Sequence, residues 1–289
     1  MVKVINKKLV FGKLPQRPED SNKGTFGRVL NVAGSANYSG AAYLSSVAAL
    51  KIGAGYLRLA CPDVIIPVIA SMTPEITFEP LTSTKNGVIA SDNKIKDLFS
   101  YDVISIGCGI STDEETRDFL FCFLNELNAR QKVVIDADGI NILAGHKGEI
   151  SLKNIVITPH PKELSRLLNV SMEEIIDNRE KYARITSQTF ECITVLKGHK
   201  TIVTDGEKIF INSSGNSALA KAGSGDVLTG FISGLLAQKM LPIDAAVLGV
   251  FLHGLAGDIA SEDFTKYSVF ASDIIDYLPF AIKELIADD

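Results

Sequence analysis

The chain has 289 residues, of which 46% are hydrophobic and 22% are charged, so it can bury a substantial core without disulfides or a structural metal. Its formal net charge of −5 at pH 7, with no block of basic residues, gives no electrostatic attraction to a phosphate backbone and argues against nucleic acid as the main partner. The sequence shows no secretory signal, no apolar run of the ~18 residues that a membrane helix needs and four widely separated cysteines, so we expect a cytoplasmic protein with free thiols and no membrane contact.

Short runs rich in valine and isoleucine alternate with helical patterns along the first two thirds of the chain. Each run is bounded by Gly, Pro, Asp or Lys, as buried parallel strands are. We predict strands at residues 28–33, 56–60, 102–106, 132–135, 154–158 and 192–196. The helices predicted between them are residues 39–52, residues 112–128 and one that opens at the capping-box pattern 171–174 and runs toward residue 189.

The pattern changes after the last of these strands. Residues 201–204 and 208–211 are predicted to form a hairpin, and three helices follow near 225–237, 243–261 and 270–286. Strands that alternate with helices predict βαβ units and a mostly parallel sheet with helices on both faces. Because no linker, repeat or low-complexity tract interrupts the chain, we expect residues 1–289 to form a single α/β domain.

The segment with the clearest chemistry is NSALAKAGSGDVLTG, residues 216–230. Its Gly223-Ser224-Gly225-Asp226 turn directly precedes an apolar helix. Small residues let the backbone approach a ligand, and the free N–H groups at a helix start favour an anion. By itself the turn also fits an ordinary helix cap. No Walker motif is present, so any phosphate binding is not of the P-loop kind.

Other candidate residues follow the predicted strands, where ligands of open α/β sheets bind. They are Gly107 and Gly109, Asp136 and Asp138, His160, and the segment Lys197–Thr201. Each has a second interpretation. Asp136 and Asp138 suit a metal, but Asp138 equally suits a helix cap; His160 suits a surface or core position; Lys197–Thr201 suits a solvated turn; and the small residues suit helix–sheet packing.

In chain order, these segments resemble the NAD(P)H-hydrate dehydratases of the ribokinase-like superfamily. The resemblance covers residues 23–62, 105–110, 134–141, 157–164, 195–201, 216–230 and 253–258. Seven pieces in one order are not explained by chance. Two departures, Leu219 for Met and Ser224 for Thr, preserve shape and hydroxyl chemistry.

The resemblance implies a ribokinase-like three-layer α/β/α sandwich around a central, mostly parallel sheet. It implies that ADP or ATP, with Mg²⁺, phosphorylates the C6 hydroxyl of hydrated NADH or NADPH, and that phosphate then leaves to restore NAD(P)H. It further implies a homo-oligomer such as a tetramer. Because the sequence begins at the dehydratase, we expect a separate epimerase.

The resemblance also assigns residues. It makes Asp226 the catalytic base. The substrate contacts that it implies are Ala41, Ala42, Gly107, Gly109, His160 and Asp226. The nucleotide contacts that it implies are Lys197, Gly198, His199, Lys200, Thr201, Asn216, Gly223, Ser224 and Gly225.

Two other functions use the same features. A ribokinase-like kinase for a vitamin-precursor alcohol would use the same Gly-Ser-Gly-Asp turn but leave the phosphate on its product. A catalytically silent nucleotide-binding protein would have no use for Asp226. The segments at residues 38–42 and 158–163 favour the dehydratase over the kinase.

Overall fold

The computed structural model describes residues 2–95, 97–144 and 155–287. Three sequence expectations lie outside these residues: the first residue of the strand predicted at 154–158, the exposure of His146, and the solvated tail Asp288-Asp289. All candidate site residues lie within the described part of the chain.

The strands of the described residues form one sheet. They are β1 (Val2–Ile5), β2 (Arg28–Val32), β3 (Tyr56–Pro62), β4 (Thr77–Leu81), β5 (Val103–Ile106), β6 (Lys132–Ile135), β7 (Ile155–Ile157), β8 (Ile193–Leu196), β9 (Ile202–Thr204) and β10 (Ile209–Asn212). Their order is β1-β10-β9-β8-β7-β6-β5-β2-β3-β4. Every neighbouring pair is parallel except the two that β9 makes with β8 and β10. The carboxyl ends of β2 and of β5 to β8 therefore lie side by side at one end of the strands.

Helices cover both faces of the sheet. They are α1 (Lys7–Val10), α2 (Ser39–Lys51), α3 (Ile66–Ala70), α4 (Glu114–Glu126), α5 (Asp138–Ala144), α6 (Pro161–Leu168), α7 (Met172–Asp177), α8 (Arg179–Phe190), α9 (Ser224–Ala237), α10 (Pro242–Ser268) and α11 (Ala271–Ile286). Alternate strand residues enter two separate buried clusters: Val134 joins the one with α2, α9, α10 and α11, whereas Val133 and Ile135 join the one with α4 to α8. This is the expected three-layer α/β/α sandwich.

Most predicted elements are confirmed to within a few residues, and the hairpin forms as β9 and β10. The single helix predicted from Ser171 toward residue 189 is wrong. Asn178, at φ −131° and ψ 45°, separates α7 from α8. The last long helix runs past its predicted end to Ser268, with a local interruption at Thr265, where φ is 65°.

One expectation about apolar stretches needs correction. By length and composition α10 can cross a membrane, since it contains an 18-residue window of mean hydropathy 1.5. In the structure 72% of that window is buried, and α10 packs against α9 and α11. Its apolar character therefore has an explanation inside the fold, as a core helix.

The most extensive helix contact, between α2 and α9, depends on glycine. A Cβ on Gly234 would overlap the carbonyl oxygen of Ala49 and the side chain of Ile52. Gly234→Ala should therefore lower the free energy of unfolding by about 1–3 kcal/mol, because overpacking outweighs the ~1 kcal/mol that alanine gains over glycine in a helix. Urea unfolding measures this.

Gly40→Ala is the matched control for Gly234→Ala. Gly40 lies on α2, and a Cβ there would meet nothing within 4 Å. We expect this variant to be as stable as the wild type or slightly more so. Equal stability of the two variants would contradict the close approach of the helices.

Candidate active site

The start of α9 lies against the carboxyl ends of the parallel strands. Asp136 directly follows β6 and is 1% exposed. Its Oδ2 accepts a 2.7 Å hydrogen bond from the Thr229 hydroxyl, one turn inside α9. Its Oδ1 pairs with the ammonium of Lys197, which directly follows β8. Asp136 thus ties the central strands to α9 and fixes the glycine turn that precedes it.

The ammonium group of Lys197 balances the negative charge of Asp136. Its Nζ also lies 3.8 Å from Oε2 of the buried Glu163. Burial alone would lower the pKa of Lys197, but the two carboxylates outweigh it and hold that pKa above its usual value. Gly225 leaves the pair accessible, since a Cβ there would sit 3.5 Å from Nζ and 3.8 Å from Oδ2 of Asp136.

Glu163 and His160 cap the start of α6 reciprocally. The His160 N–H donates to Glu163 Oε2 at 2.7 Å, and the Glu163 N–H donates to His160 Nδ1 at 3.1 Å. Because Nδ1 accepts, the neutral imidazole carries its proton on Nε2. Burial and the charge of Lys197 lower the pKa of His160, which favours that neutral form. Burial raises the pKa of Glu163 to about 7, although Lys197 opposes the shift.

Asp226 occupies the first turn of α9. Burial raises its pKa to about 6, and the negative charge of Asp136 adds to the shift, while the hydrogen bond from the Cys108 thiol and the charge of Lys197 oppose it. A carboxylate with a pKa near 6 is ionised at neutral pH and still basic enough to accept a proton. This pKa is compatible with the general-base role that the sequence predicts for Asp226.

A cavity of about 790 Å³ opens beside this group. The predicted nucleotide residues that line it are Lys197, Gly198, His199, Lys200, Thr201, Asn216, Ser224 and Gly225. Gly223 is the exception: it precedes α9 at φ 89° and packs toward Leu44 and Ala271. The structure thus brings two distant predicted segments together around one space large enough for a nucleotide.

Two side chains lining the cavity are arranged by internal hydrogen bonds. His253 Nε2 lies 2.9 Å from the carbonyl oxygen of Ser224 and 3.2 Å from its hydroxyl. Burial lowers the pKa of His253 to about 4, so the ring is neutral and donates from Nε2 to the carbonyl. The Ser224 hydroxyl proton is then available to a ligand. Asn216 instead donates to Asp258 at 2.6 Å and to Ser261 at 2.9 Å.

The predicted substrate residues fall into two places. His160 lines the cavity, together with the nucleotide residues. The others surround the loop after β5. A Cβ on Gly109 would lie 2.9 Å from that of Ala41, and one on Gly107 would overlap the backbone oxygen of Asp136. Ala42 is fully buried and Gly107 lies against Asp136, so both pack closely, and their contact with substrate stays a prediction.

Several functional residues were missed as site members from sequence. Glu163 was noticed only as part of a motif, and Thr229, Cys108 and His253 were not assigned a role. The four-residue step from Gly225 to Thr229 is one helical turn and is the signal that places the hydroxyl beside the glycine turn. The thiol of Cys108 had no such signal, because its contact with Asp226 is purely tertiary.

The chain is similar in sequence to proteins of one known family. A family model described as NAD(P)H-hydrate dehydratase matches residues 29–280. The chain belongs to that family. It is 39% identical to the ADP-dependent (S)-NAD(P)H-hydrate dehydratase of Neisseria meningitidis, over 85% of this chain and 81% of the relative. It is 32% identical to the protein of the same name from Listeria monocytogenes, over 98% of this chain and 97% of the relative.

Longer members of the family add a second part. The chain is 38% identical to the bifunctional NAD(P)H-hydrate repair enzyme of Moorella thermoacetica over 94% of its own length, but it spans 52% of that relative. The ADP/ATP-dependent NAD(P)H-hydrate dehydratase of Bacillus subtilis, co-crystallised with ATP and Mg²⁺, superposes with a TM-score of 0.85 at 29% identity, covering 98% of this chain and 99% of that one. A ribokinase-like protein from Enterococcus faecalis superposes equally well, at a TM-score of 0.85 and 26% identity over 98% of this chain and 96% of that one. The ribokinase-like fold is thereby confirmed.

Proposed function

We propose that the protein dehydrates the S form of hydrated NADH and NADPH to NAD(P)H, with ADP or ATP as the phosphoryl donor. The observation that carries the proposal is the position of Asp226. Its carboxylate, with a pKa of about 6, accepts a hydrogen bond from the thiol of Cys108, which adjoins Gly109, and Asp226 directly follows Gly225, which lines the cavity. The ADP-dependent (S)-NAD(P)H-hydrate dehydratases of Neisseria meningitidis and Listeria monocytogenes, to which the chain is similar, support the same reaction.

The first half of the reaction is phosphoryl transfer. Asp226 accepts the proton of the ring C6 hydroxyl, whose oxygen forms a bond to the terminal phosphorus while the bond to the departing AMP, or ADP, breaks. The N–H groups at the start of α9 and the Ser224 hydroxyl face the developing phosphoryl charge. Lys197 supplies a fixed positive charge beside Gly225.

The second half is elimination. Phosphate is a far better leaving group than hydroxide, so the ring nitrogen lone pair expels it from C6. Loss of a proton from C5 then restores the C5–C6 double bond. The balance is hydrated NADH plus ADP giving NADH, AMP and phosphate.

Mg²⁺ fits this site as an ion carried by the nucleotide. Among the described residues no group of three His, Cys, Asp or Glu side chains is placed to hold a metal. Mg²⁺ commonly binds through one or two carboxylates plus substrate phosphates. Asp136 is already paired with Thr229 and Lys197, and Asp226 is the proposed base, so the nucleotide phosphates and water would supply most of the ligands of the ion. When bound, the ion neutralises charge on the donor phosphates.

The assay that tests the function mixes the purified protein with hydrated NADH, Mg²⁺ and either ADP or ATP, and follows absorbance in the reduced-nicotinamide band. A nucleotide-dependent rise matched one-to-one by phosphate release is expected. Nucleotide consumption with phosphate retained on an alcohol would instead indicate a kinase. No rise with either nucleotide, from folded protein, would remove the dehydratase proposal.

The pH dependence of kcat/KM should follow Asp226. The base must be ionised, so the rate should fall about tenfold per pH unit below pH ~6 and level off above it. Glu163→Gln is the matched control, because the amide oxygen still accepts the His160 N–H while the group near pH 7 is removed. The limb near pH 6 should persist in this variant. If the fall in kcat/KM near pH 6 is lost in Glu163→Gln, the titrating group is Glu163 and not Asp226.

We also propose that residues 1–289 act as one cytoplasmic catalytic unit that assembles as a homo-oligomer. The four cysteines are unpaired, which suits a reducing compartment. Large apolar side chains are exposed at the end of α10 and along α11: Phe264, Tyr267, Phe270 and Phe280. Such a patch suits a subunit contact. Light scattering of the purified protein measures the mass of the assembly, and a monomer mass would contradict the proposal.

A further inference from the structure

The loop between β8 and β9, residues 197–201, has its carbonyl groups held mainly by a side chain from α8. The guanidinium of Arg179 donates to the carbonyl oxygens of Leu196 at 3.2 Å, Lys197 at 3.4 Å and His199. The hydroxyl of Thr201 donates to the carbonyl of Gly198 at 2.9 Å. The acceptors of this loop are therefore nearly all used within the protein.

The N–H groups of the same loop are in the opposite situation. Within the part of the chain that the structure describes, those of residues 198–200 donate to no acceptor, whereas the N–H of Thr201 closes a turn on Gly198. Gly198 and Lys200 have positive φ values of 135° and 55°, and the residues that follow them do not. Such alternation turns successive N–H groups to one side, which forms an anion-binding concavity. The whole loop lines the cavity, with the cationic side chains of Lys197 and Lys200.

Arg179 is well suited to hold this arrangement. It is the first residue of α8, and its guanidinium reaches across to a loop about 20 positions away in sequence. A planar fork of donors can serve several carbonyls at fixed angles, which a lysine ammonium cannot. Gly198 permits the approach, since a Cβ there would lie 3.2 Å from Nη2 of Arg179.

We propose that Arg179 is a positioning residue for nucleotide binding. By holding the carbonyls of residues 196, 197 and 199 on its own side, it keeps the three backbone N–H groups of residues 198–200 directed into the cavity, where they bind the phosphates of a nucleoside di- or triphosphate. The identity of that ligand rests on the proposed dehydratase function; the role of Arg179 in binding it does not require turnover.

The test compares Arg179→Ala and Arg179→Lys with the wild type. Calorimetry measures ADP and ATP binding directly, and the coupled assay gives kcat and both KM values. We expect Kd and KM for the nucleotide to rise about tenfold to a hundredfold in both variants, because each lost charged hydrogen bond is worth about a factor of ten. The KM for hydrated NADH and kcat should change far less.

A rescue and a control separate positioning from folding. Millimolar guanidinium should restore part of the nucleotide affinity of Arg179→Ala, which it cannot do for a merely destabilised protein. Arg184→Ala, on the same helix and without a hydrogen bond to the loop among the described residues, should bind ADP as the wild type does.

The outcomes are distinguishable from failure of the dehydratase proposal. If the wild type binds ADP but dehydrates nothing, the function falls while the binding comparison still decides the role of Arg179. Unchanged ADP affinity in a folded Arg179→Ala protein, or a wild type that binds neither nucleotide, would overturn the role of Arg179.

Discussion

Asp226→Asn should lower kcat by a factor of about 10²–10⁴, the range that a positioned general base contributes. Asparagine keeps the shape of the side chain but cannot accept the proton of the ring hydroxyl. The affinity for ADP should hold, because the cavity residues and the loop 197–201 are unaltered. Single-turnover phosphate release with hydrated NADH measures the loss, and calorimetry measures the binding.

The stability of Asp226→Asn distinguishes lost chemistry from lost structure. In the wild type Asp226 is desolvated and repelled by Asp136, so its charge opposes folding. The neutral variant should therefore unfold at the same or a higher urea concentration. A kcat within a factor of about three of the wild type would exclude Asp226 as the base, since removing a base costs far more. A large drop in stability would mean that its charge serves the fold.

Lys197→Met should cost about 3–5 kcal/mol of unfolding free energy at neutral pH, because it leaves a buried carboxylate without its counter-ion. Asp136 is 1% exposed and would keep only the Thr229 hydroxyl as a partner. Glu163 would lose the same cation. Urea unfolding followed by circular dichroism measures the change, and nucleotide binding should weaken with it.

Two further variants test the cause of the Lys197→Met effect. Adding Asp136→Asn should recover much of the loss, so that a double-mutant cycle gives a coupling above about 1 kcal/mol. Lys162→Met removes an exposed lysine from α6 and should change stability by less than about 0.5 kcal/mol. If Lys197→Met loses no more than Lys162→Met, the buried ion pair does not stabilise the fold.

The parallel core was predictable from sequence because its strands are locally marked. β6 matches its predicted bounds, and its residues alternate between the two buried clusters. The strands that escaped prediction are β1 and β4, at the two ends of the sheet. β1 is mostly exposed, and β4 contains Pro80, so neither shows the pattern of a buried strand. β1 also pairs with β10, some 200 residues away, and no local pattern records such a partner.

The candidate site divides in the same way. The glycine turn was found because backbone geometry demands small residues at fixed positions, and the loop 197–201 was found from its cationic side chains and the family resemblance. Asp136 and Lys197 were also named as candidates, but their pairing with each other and with Glu163 was not predicted. Asp136, Lys197 and Glu163 meet only because β6, β8 and α6 converge, and the raised pKa of Asp226 depends on that convergence. Arg179 is likewise defined by the carbonyls that it reaches rather than by its neighbours in sequence.

The loops before and after the antiparallel strand β9 differ in how freely their lengths can change during evolution. β9 runs antiparallel to β8. The loop 197–201, which precedes β9, therefore lies at the cavity, whereas the turn from β9 to β10 lies at the opposite end of the strands. There Glu207 and Lys208 are exposed, and Asp205 accepts their N–H groups at 3.0 and 2.7 Å. We therefore expect the length of the hairpin to be constrained where residues 197–201 line the cavity and to tolerate insertions at the β9–β10 turn.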